Sequence, residues 1–347
     1  MRKMVWLIVA VVFMLALAAC ANQAEDDSKQ EHQDNKETKV EKGDKGETTE
    51  TDNETIYPLT GEPANGPVDH RILSVMVNNH SDARPQTGLS KADIVYEVLA
   101  EGPITRFLAL FHSEIPEVIG PVRSARPYYV KLASAYDALY VYHGAANFIN
   151  EMVHESGIDF ADGALYDNDG ELFKRATDRK APHNSYLLTS GVDSLLGKKG
   201  YDSSKKIEPL SFADEPAFDG QSAQQVKVVY GERETVSYTY DPETGQYKRT
   251  SDGEPTIEKE TNERIAVDNV FIVKTEHQVV DDAGRREIDL TSGGDGFLVQ
   301  KGQMIEVEWK NKNGRILPFK DGEVVSFVPG KTWVNIVPER PDIIMAE

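Results

Sequence analysis

Residues 94–112 read IVYEVLAEGPITRFLALFH, and the texture of this stretch decides the fold class. Two runs rich in β-branched, aromatic and leucine residues, 94–99 and 106–112, flank a Glu-Gly-Pro segment, so the stretch predicts strand, turn, strand. Upstream, the short apolar run 72–77 (ILSVMV) suits a buried strand, and 88–93 offers Ser90 as the N-cap of a brief helical turn. Downstream, 124–137 places Val130, Leu132, Ala133 and Tyr136 near i, i+3 spacing, which predicts a helix with Pro127 in its first turn. Another strand is expected at 139–142. A helix follows at 147–155, with Ile149, Met152 and Val153 on one side, and a third is expected at 188–196. Strands alternating with helices predict an α+β or α/β layered N-terminal domain over 57–220.

From about residue 224 the apolar period changes to two. Strands are expected at 226–230, 235–240, 270–275, 297–300, 305–309 and 333–337, with turn signals at Asp241-Pro-Glu-Thr-Gly245 and Lys320-Asp-Gly-Glu323. No long helical pattern intervenes. The expectation is a small β-rich C-terminal domain, barrel or sandwich, over 221–347.

The start of the chain carries an address. Arg2 and Lys3 precede an apolar run over 4–19, which is short for a membrane span of about 20 residues and ends in Leu17-Ala18-Ala19-Cys20. This predicts a lipoprotein signal peptide over 1–20 and a diacylglycerol on Cys20, holding the protein at the extracytoplasmic face of the cell membrane. Cys20 is the single cysteine of the chain, so no intramolecular disulfide forms. Once Cys20 is acylated no thiol remains, which excludes cysteine nucleophiles and thiolate metal sites in the body. Residues 21–56 are acidic and polar and read as a disordered tether, with an interaction tail as the alternative. The net charge is -20 and no basic stripe interrupts it, so nucleic acid is not an expected partner.

Against that acidity, the N-terminal domain favours arginine over lysine, and Arg84, Arg123 and Arg126 lie beside turn residues. A guanidinium presents a planar fork matched to carboxylate and phosphate. If Ser124 capped the helix, Arg123 and Arg126 would both sit at its positive end, unfavourable by about 0.3–1 kcal/mol each. A compensating anion is therefore expected. It is either internal, with Asp93, Glu97 and Glu101 as candidates on one strand face, or a ligand phosphate or carboxylate. The binding set expected on the second reading is Arg84, Arg106, Arg123, Ser124, Arg126 and Arg179, with His143, His183 and Asn184 at its rim. The same carboxylates are the candidates for acid–base chemistry.

No metal and no cofactor is expected: His-Glu-x-x-His is absent, and joint ligation by His112, His143 and His183 is the lesser alternative. Gly-x-Ser-x-Gly is absent, and Ser203-Ser-Lys-Lys206 lacks the partner motifs of penicillin-binding enzymes. Asp167-Asn-Asp-Gly170 lacks the outer ligands of a calcium loop, and Ser292-Gly-Gly-Asp-Gly296 precedes a strand, unlike a phosphate loop. Tyr128, Tyr129, Tyr136, Tyr140, Tyr142 and Phe148 read either as core or as a platform on which sugar rings stack.

The segments at 77–112, 119–129 (IGPVRSARPYY) and 179–186 (RKAPHNSY) resemble the YerB-type lipoproteins of Gram-positive bacteria. Those at 267–273 (VDNVFIV) and 327–338 (FVPGKTWVNIVP) resemble that family's C-terminal domain. The resemblance implies a two-domain lipoprotein of the cell envelope. The family pattern has glycine where this chain has Pro103. The expected function is a non-enzymatic envelope lipoprotein binding an anionic or glycan wall component, peptidoglycan or teichoic acid, through an Arg/His-lined cleft. The alternatives are a transferase or hydrolase on phosphorylated envelope polymers, and a scaffold for a cell-wall synthase or hydrolase.

Overall fold

The computed structural model describes residues 55–231, 234–339 and 344–346; the signal peptide, Cys20 and the tether to residue 54 lie outside the described residues. The end of the expected tether already belongs to the body, because Ile56 pairs with Pro63. In chain order the first half carries β1 (Leu73–Asn78), β2 (Ile94–Leu99), β3 (Thr105–Phe111), β4 (Val118–Ile119), α1 (Pro127–Ser134) and β5 (Leu139–Tyr142). It continues with α2 (Asn147–Glu155), β6 (Phe160–Asp162), β7 (Phe173–Arg175), β8 (Ser185–Leu188) and α3 (Val192–Lys199). The second half carries β9 (Gln221–Ser222), β10 (Gln225–Gly231), β11 (Glu234–Asp241), β12 (Gln246–Ser251), β13 (Glu254–Pro255), β14 (Ala266–Val267) and β15 (Asn269–Thr275). After these come β16 (His277–Val279), β17 (Arg286–Ile288), β18 (Gly294–Gln300), β19 (Gln303–Lys312), β20 (Arg315–Lys320), β21 (Glu323–Val324), β22 (Thr332–Pro338) and β23 (Ile344–Ala346).

The N-terminal region is a mixed α/β sheet and the C-terminal region is β-rich. The two regions share one sheet. Its order is β21-β20-β19-β18-β15-β22-β2-β3-β1-β5-β6, with β9 on β19. The join is β22, parallel to β15 on one side and to β2 on the other. The C-terminal region therefore does not close on itself as a separate barrel or sandwich. Most of its strands extend the sheet begun by the N-terminal region, and a second sheet, β13-β12-β11-β10-β23 with β14 on β12, packs against it. The described residues form one compact unit.

Strand alternation sorts the side chains into two layers. Val75, Val77, Val95, Phe107, Ala109 and Trp333 point to one face, where they meet Val226, Tyr238 and Tyr247 of the second sheet and Leu195 of α3. Met76, Tyr96, Val98, Leu108 and Leu110 point to the other, where they meet Tyr129 and Leu132 of α1 and Ile149 and Val153 of α2. β2 and β3 are buried on both faces, which is why the opening stretch reads as nearly continuous apolar sequence.

Two helices differ from expectation. α1 begins at Pro127, so Arg126 and not Ser124 occupies the N-cap, and its side chain makes no capping bond. The third helix starts at Val192, because 185–188 is taken by β8, which pairs with β4 and β7. The tyrosine cluster is core. Tyr128 donates to Leu99 O (2.9 Å) and Tyr129 to Arg106 O (2.6 Å), satisfying their hydroxyls inside the helix–sheet layer. Only Phe148 of that set is exposed, at 56%.

Among the described residues no helix is long and apolar enough to cross a membrane.

Candidate functional site

β1, β5 and β6 are parallel neighbours, so their carboxyl ends, Asn78, Tyr142 and Asp162, lie side by side. Ligands of open α/β sheets bind outside such an edge. The segment GPVRSARP (120–127) crosses it. Val122 bridges Val77, Arg123 N donates to Met76 O (2.9 Å), and His143 N donates to Arg123 O (2.9 Å). Backbone bonds thus hold Arg123 between the ends of β1 and β5.

The Arg123 side chain has no hydrogen-bond or ion-pair partner among the described residues, and its Nε is buried without one. Burial, and then the charge of Arg106, draws its pKa down to about 10, which leaves it cationic at neutral pH. Its charge is felt by both His143 and His183.

The hydrogen-bond network fixes the proton positions on the neighbouring imidazoles. His80 N donates to Asn78 Oδ1 (3.0 Å), so the amide Nδ2 of Asn78 faces His183 Nδ1 (2.8 Å) and donates to it. His80 Nδ1 accepts from Asp82 N (3.1 Å). Both rings therefore carry their neutral-form proton on Nε2 and offer an N–H. The rings lie 4.8 Å apart. Burial, then His80 and Arg123, lowers the pKa of His183 and keeps it neutral. His80, Asp82 and His183 place ligand-type atoms within 4.8 Å of one another. The Nδ1 lone pairs are taken and the Nε2 atoms protonated, so the group fits hydrogen-bond donation and not metal ligation.

His143 is held differently. Arg175 Nη2 donates to its Nε2 (3.0 Å), so Nδ1 carries the proton and donates to Ser185 Oγ (2.8 Å). A serine–histidine contact of this polarity cannot deprotonate the serine. Burial and the Arg175 charge lower the His143 pKa. Asn184 accepts from Arg175 Nη1 (2.8 Å), so it positions Arg175. Gly163 lets His143 sit where it does, since a Cβ there would lie 2.5 Å from His143 Nδ1.

Most of the other expected site residues are satisfied inside the protein. Arg106 and Arg126 both pair with Glu101, at 2.7 Å for Arg106, and Ser124 contributes its carbonyl to Arg106. Arg84 pairs with Glu234 (3.1 Å) and Asp252 (3.0 Å). Arg179 donates to Ala83 O and Pro85 O, tying the 179–183 loop to the segment after β1. Carbonyls do not neutralise it, and no carboxylate pairs with it among the described residues. The three carboxylates expected on one face separate. Asp93 accepts from His112 N and Ser113 N, Glu97 lies between the two sheets against Arg249, and Glu101 turns to the helix side. His112 is not near His143 and His183 as a ligand group: it stacks on His70 at 4.1 Å, and burial lowers its pKa to about 4.

Asn78, His80, Arg175 and Ser185 complete the arrangement without having been singled out. Their signal was position: Asn78-Asn79-His80 directly follows the apolar run that forms β1. A cavity of about 620 Å³ opens elsewhere, between Leu73, Val118, Leu188, Val192 and Leu196. None of the expected site residues lines it, and its Arg71 is already paired with Asp159.

Residues 59–202 match the family described as "Protein of unknown function (DUF3048) N-terminal domain", and 226–334 match "Protein of unknown function (DUF3048) C-terminal domain". YerB of Bacillus subtilis (strain 168), named a candidate lipoprotein, is 46% identical over 286 residues, covering 81% of this chain and 86% of YerB. The crystal structure of the YerB protein from Bacillus subtilis superposes with a TM-score of 0.79 at 44% identity, covering 84% of this chain and 99% of that one. A shared sheet joining both matched regions, and this extent of likeness, make the assignment plain: the chain belongs to the two-domain DUF3048 family that includes YerB.

Proposed function

We propose that this protein is a lipid-anchored lipoprotein of the extracytoplasmic membrane face that binds an anionic component of the cell wall at Arg123. The anchor reading rests on the Leu17-Ala18-Ala19-Cys20 stretch and on the name of the relative YerB. The binding reading rests on one observation: Arg123 is half-buried at the carboxyl edge of the parallel strands with no acid paired to it among the described residues, while Arg84, Arg106 and Arg126 all have one. Holding such a charge without a partner costs stability, so an anion from outside is the natural complement. The polarity of the His143–Ser185 contact favours binding over turnover.

Two experiments check this. Replacing Cys20→Ala should move the chain from the membrane fraction to the soluble fraction, because the two acyl chains that make anchoring stable are gone. Unchanged membrane retention would defeat the anchor. Separately, the full chain in detergent should cosediment with purified wall sacculi carrying teichoic acid. Arg123→Ala should weaken that binding roughly tenfold or more, as expected for a charge-assisted hydrogen bond of about 1.5–3 kcal/mol, and added salt should weaken it further. Equal sedimentation of the variant would sink the site.

A further inference from the structure

We infer that the Arg123 site is built for a phosphoryl group and not for a carboxylate; this rests on the anion-binding reading and narrows it. The first argument is donor count. Arg123 offers a free guanidinium fork, and His80 and His183 each offer an Nε2–H because Asp82 N and Asn78 Nδ2 occupy their Nδ1 atoms. These donors come from three separate segments. A carboxylate's acceptor sites lie close to one plane, and a single fork takes one edge of them. A phosphoryl group presents more oxygens in a tetrahedral arrangement, and it can accept from a fork and from two further donors out of that plane.

The second argument is charge. Arg179 also acts on His183, and its guanidinium is held only by carbonyls. Two cations therefore act on the same imidazole, neither in a salt bridge with a carboxylate among the described residues. Of the nearby acids, Asp167 pairs with Arg175 (2.6 Å), and Asp162 accepts from Gly144 N (2.7 Å) and Ala164 N (2.9 Å), which bond it without pairing it with a cation. Asp82, whose side chain is 71% exposed, is a further local negative charge. Phosphate esters carry up to about two negative charges at neutral pH, against one for a carboxylate. The third argument is polarity. With Asn78 and Asp82 N donating to the Nδ1 atoms, the same groups that orient the rings exclude a divalent cation from them.

The test is calorimetric titration of the full chain in detergent with inorganic phosphate, glycerol phosphate, a glycerol phosphodiester, acetate and zinc chloride. At least one phosphoryl probe should bind roughly tenfold tighter than acetate, and Arg123→Ala should remove roughly that factor, the effect of losing one charge-assisted contact. The monoester and diester arms tell which kind of polymer group is the source. A thermal midpoint for each variant controls for folding. Should Arg123→Ala unfold, His80→Ala, at a side chain 36% exposed, should weaken phosphate binding in its place. Acetate binding as tightly as phosphate overturns the phosphoryl assignment and leaves the anion reading standing. Absence of binding by phosphate, its esters and acetate overturns both. Zinc binding lost in His80→Ala overturns the assigned proton positions and with them the inference.

Discussion

Replacing Arg249→Met is expected to destabilise the protein by about 3–5 kcal/mol, the loss typical of stripping one partner from a buried ion pair. Arg249 on β12 and Glu97 on β2 are both fully buried between the two sheets. Arg249 Nη2 reaches both carboxylate oxygens of Glu97 at 3.0 and 2.8 Å, and Nη1 donates to Thr256 Oγ1 (2.6 Å). The guanidinium also lies over the Trp333 ring at 4.5 Å, and Trp333 Nε1 donates to Glu97 Oε2 (2.8 Å). The pair thus joins strands from both matched regions to β22, which links them in the sheet. Methionine fills much of the same space but leaves a carboxylate in an apolar layer with only Trp333, Thr105 and Asn79 to serve it. The double variant Glu97→Gln/Arg249→Met should recover part of the loss, because no charge is then stranded. Urea unfolding measures both. A loss under about 1 kcal/mol for Arg249→Met would mean that the pair is no more than a surface-strength contact.

Glu234 should make stability fall as pH rises across the neutral range. Its carboxyl is buried near Glu97 and accepts from Arg84 (3.1 Å), Ser251 (3.3 Å) and Asn79 (3.3 Å). Burial first, and the Glu97 charge second, push its pKa from 4.5 to about 7. The folded state therefore keeps a proton that the unfolded chain releases. This contribution is full below pH 4.5 and is lost as pH rises through about 7. A shift of that size is worth roughly 3 kcal/mol. Glu234→Gln titrates nothing in the window, so the stability of the wild type relative to this variant should fall by about that amount between roughly pH 5 and pH 8. A difference that stays flat with pH would show that Glu234 is charged throughout. The position matters for the site, because Glu234 holds Arg84, and Arg84 Nε donates to Asn79 O (3.0 Å) beside His80.

Much of the candidate site was legible in the sequence as residue choice. Arginines beside turn residues drew attention to Arg123, with His143 and His183 expected at the rim, and the fold brings all three to one edge. The preference for arginine over lysine also drew in Arg84, Arg106 and Arg126, because free and neutralised arginines look alike in a sequence. What separates them is an acid partner supplied by the tertiary structure. Arg84 takes Glu234 from 150 residues away. Arg126 takes Glu101 from the β2–β3 turn, 25 residues away. Asn78 and His80 were missed because their role lies in the direction of their hydrogen bonds, which exists only once His183 and Asp82 are beside them.

By itself the sequence determined many of the longer strands, and α2 at its observed limits, since periodic apolar spacing is a local property that each segment carries alone. It also marked the lipoprotein-like start of the chain. Only the tertiary structure decided that β22 enters the sheet beside β2, that the β-rich region completes this sheet, and that Arg123 meets no paired carboxylate among the described residues. Those outcomes depend on which distant segments bury which groups together, and the free energy of a charge is set by the partners and the dielectric around it, not by its neighbours along the chain.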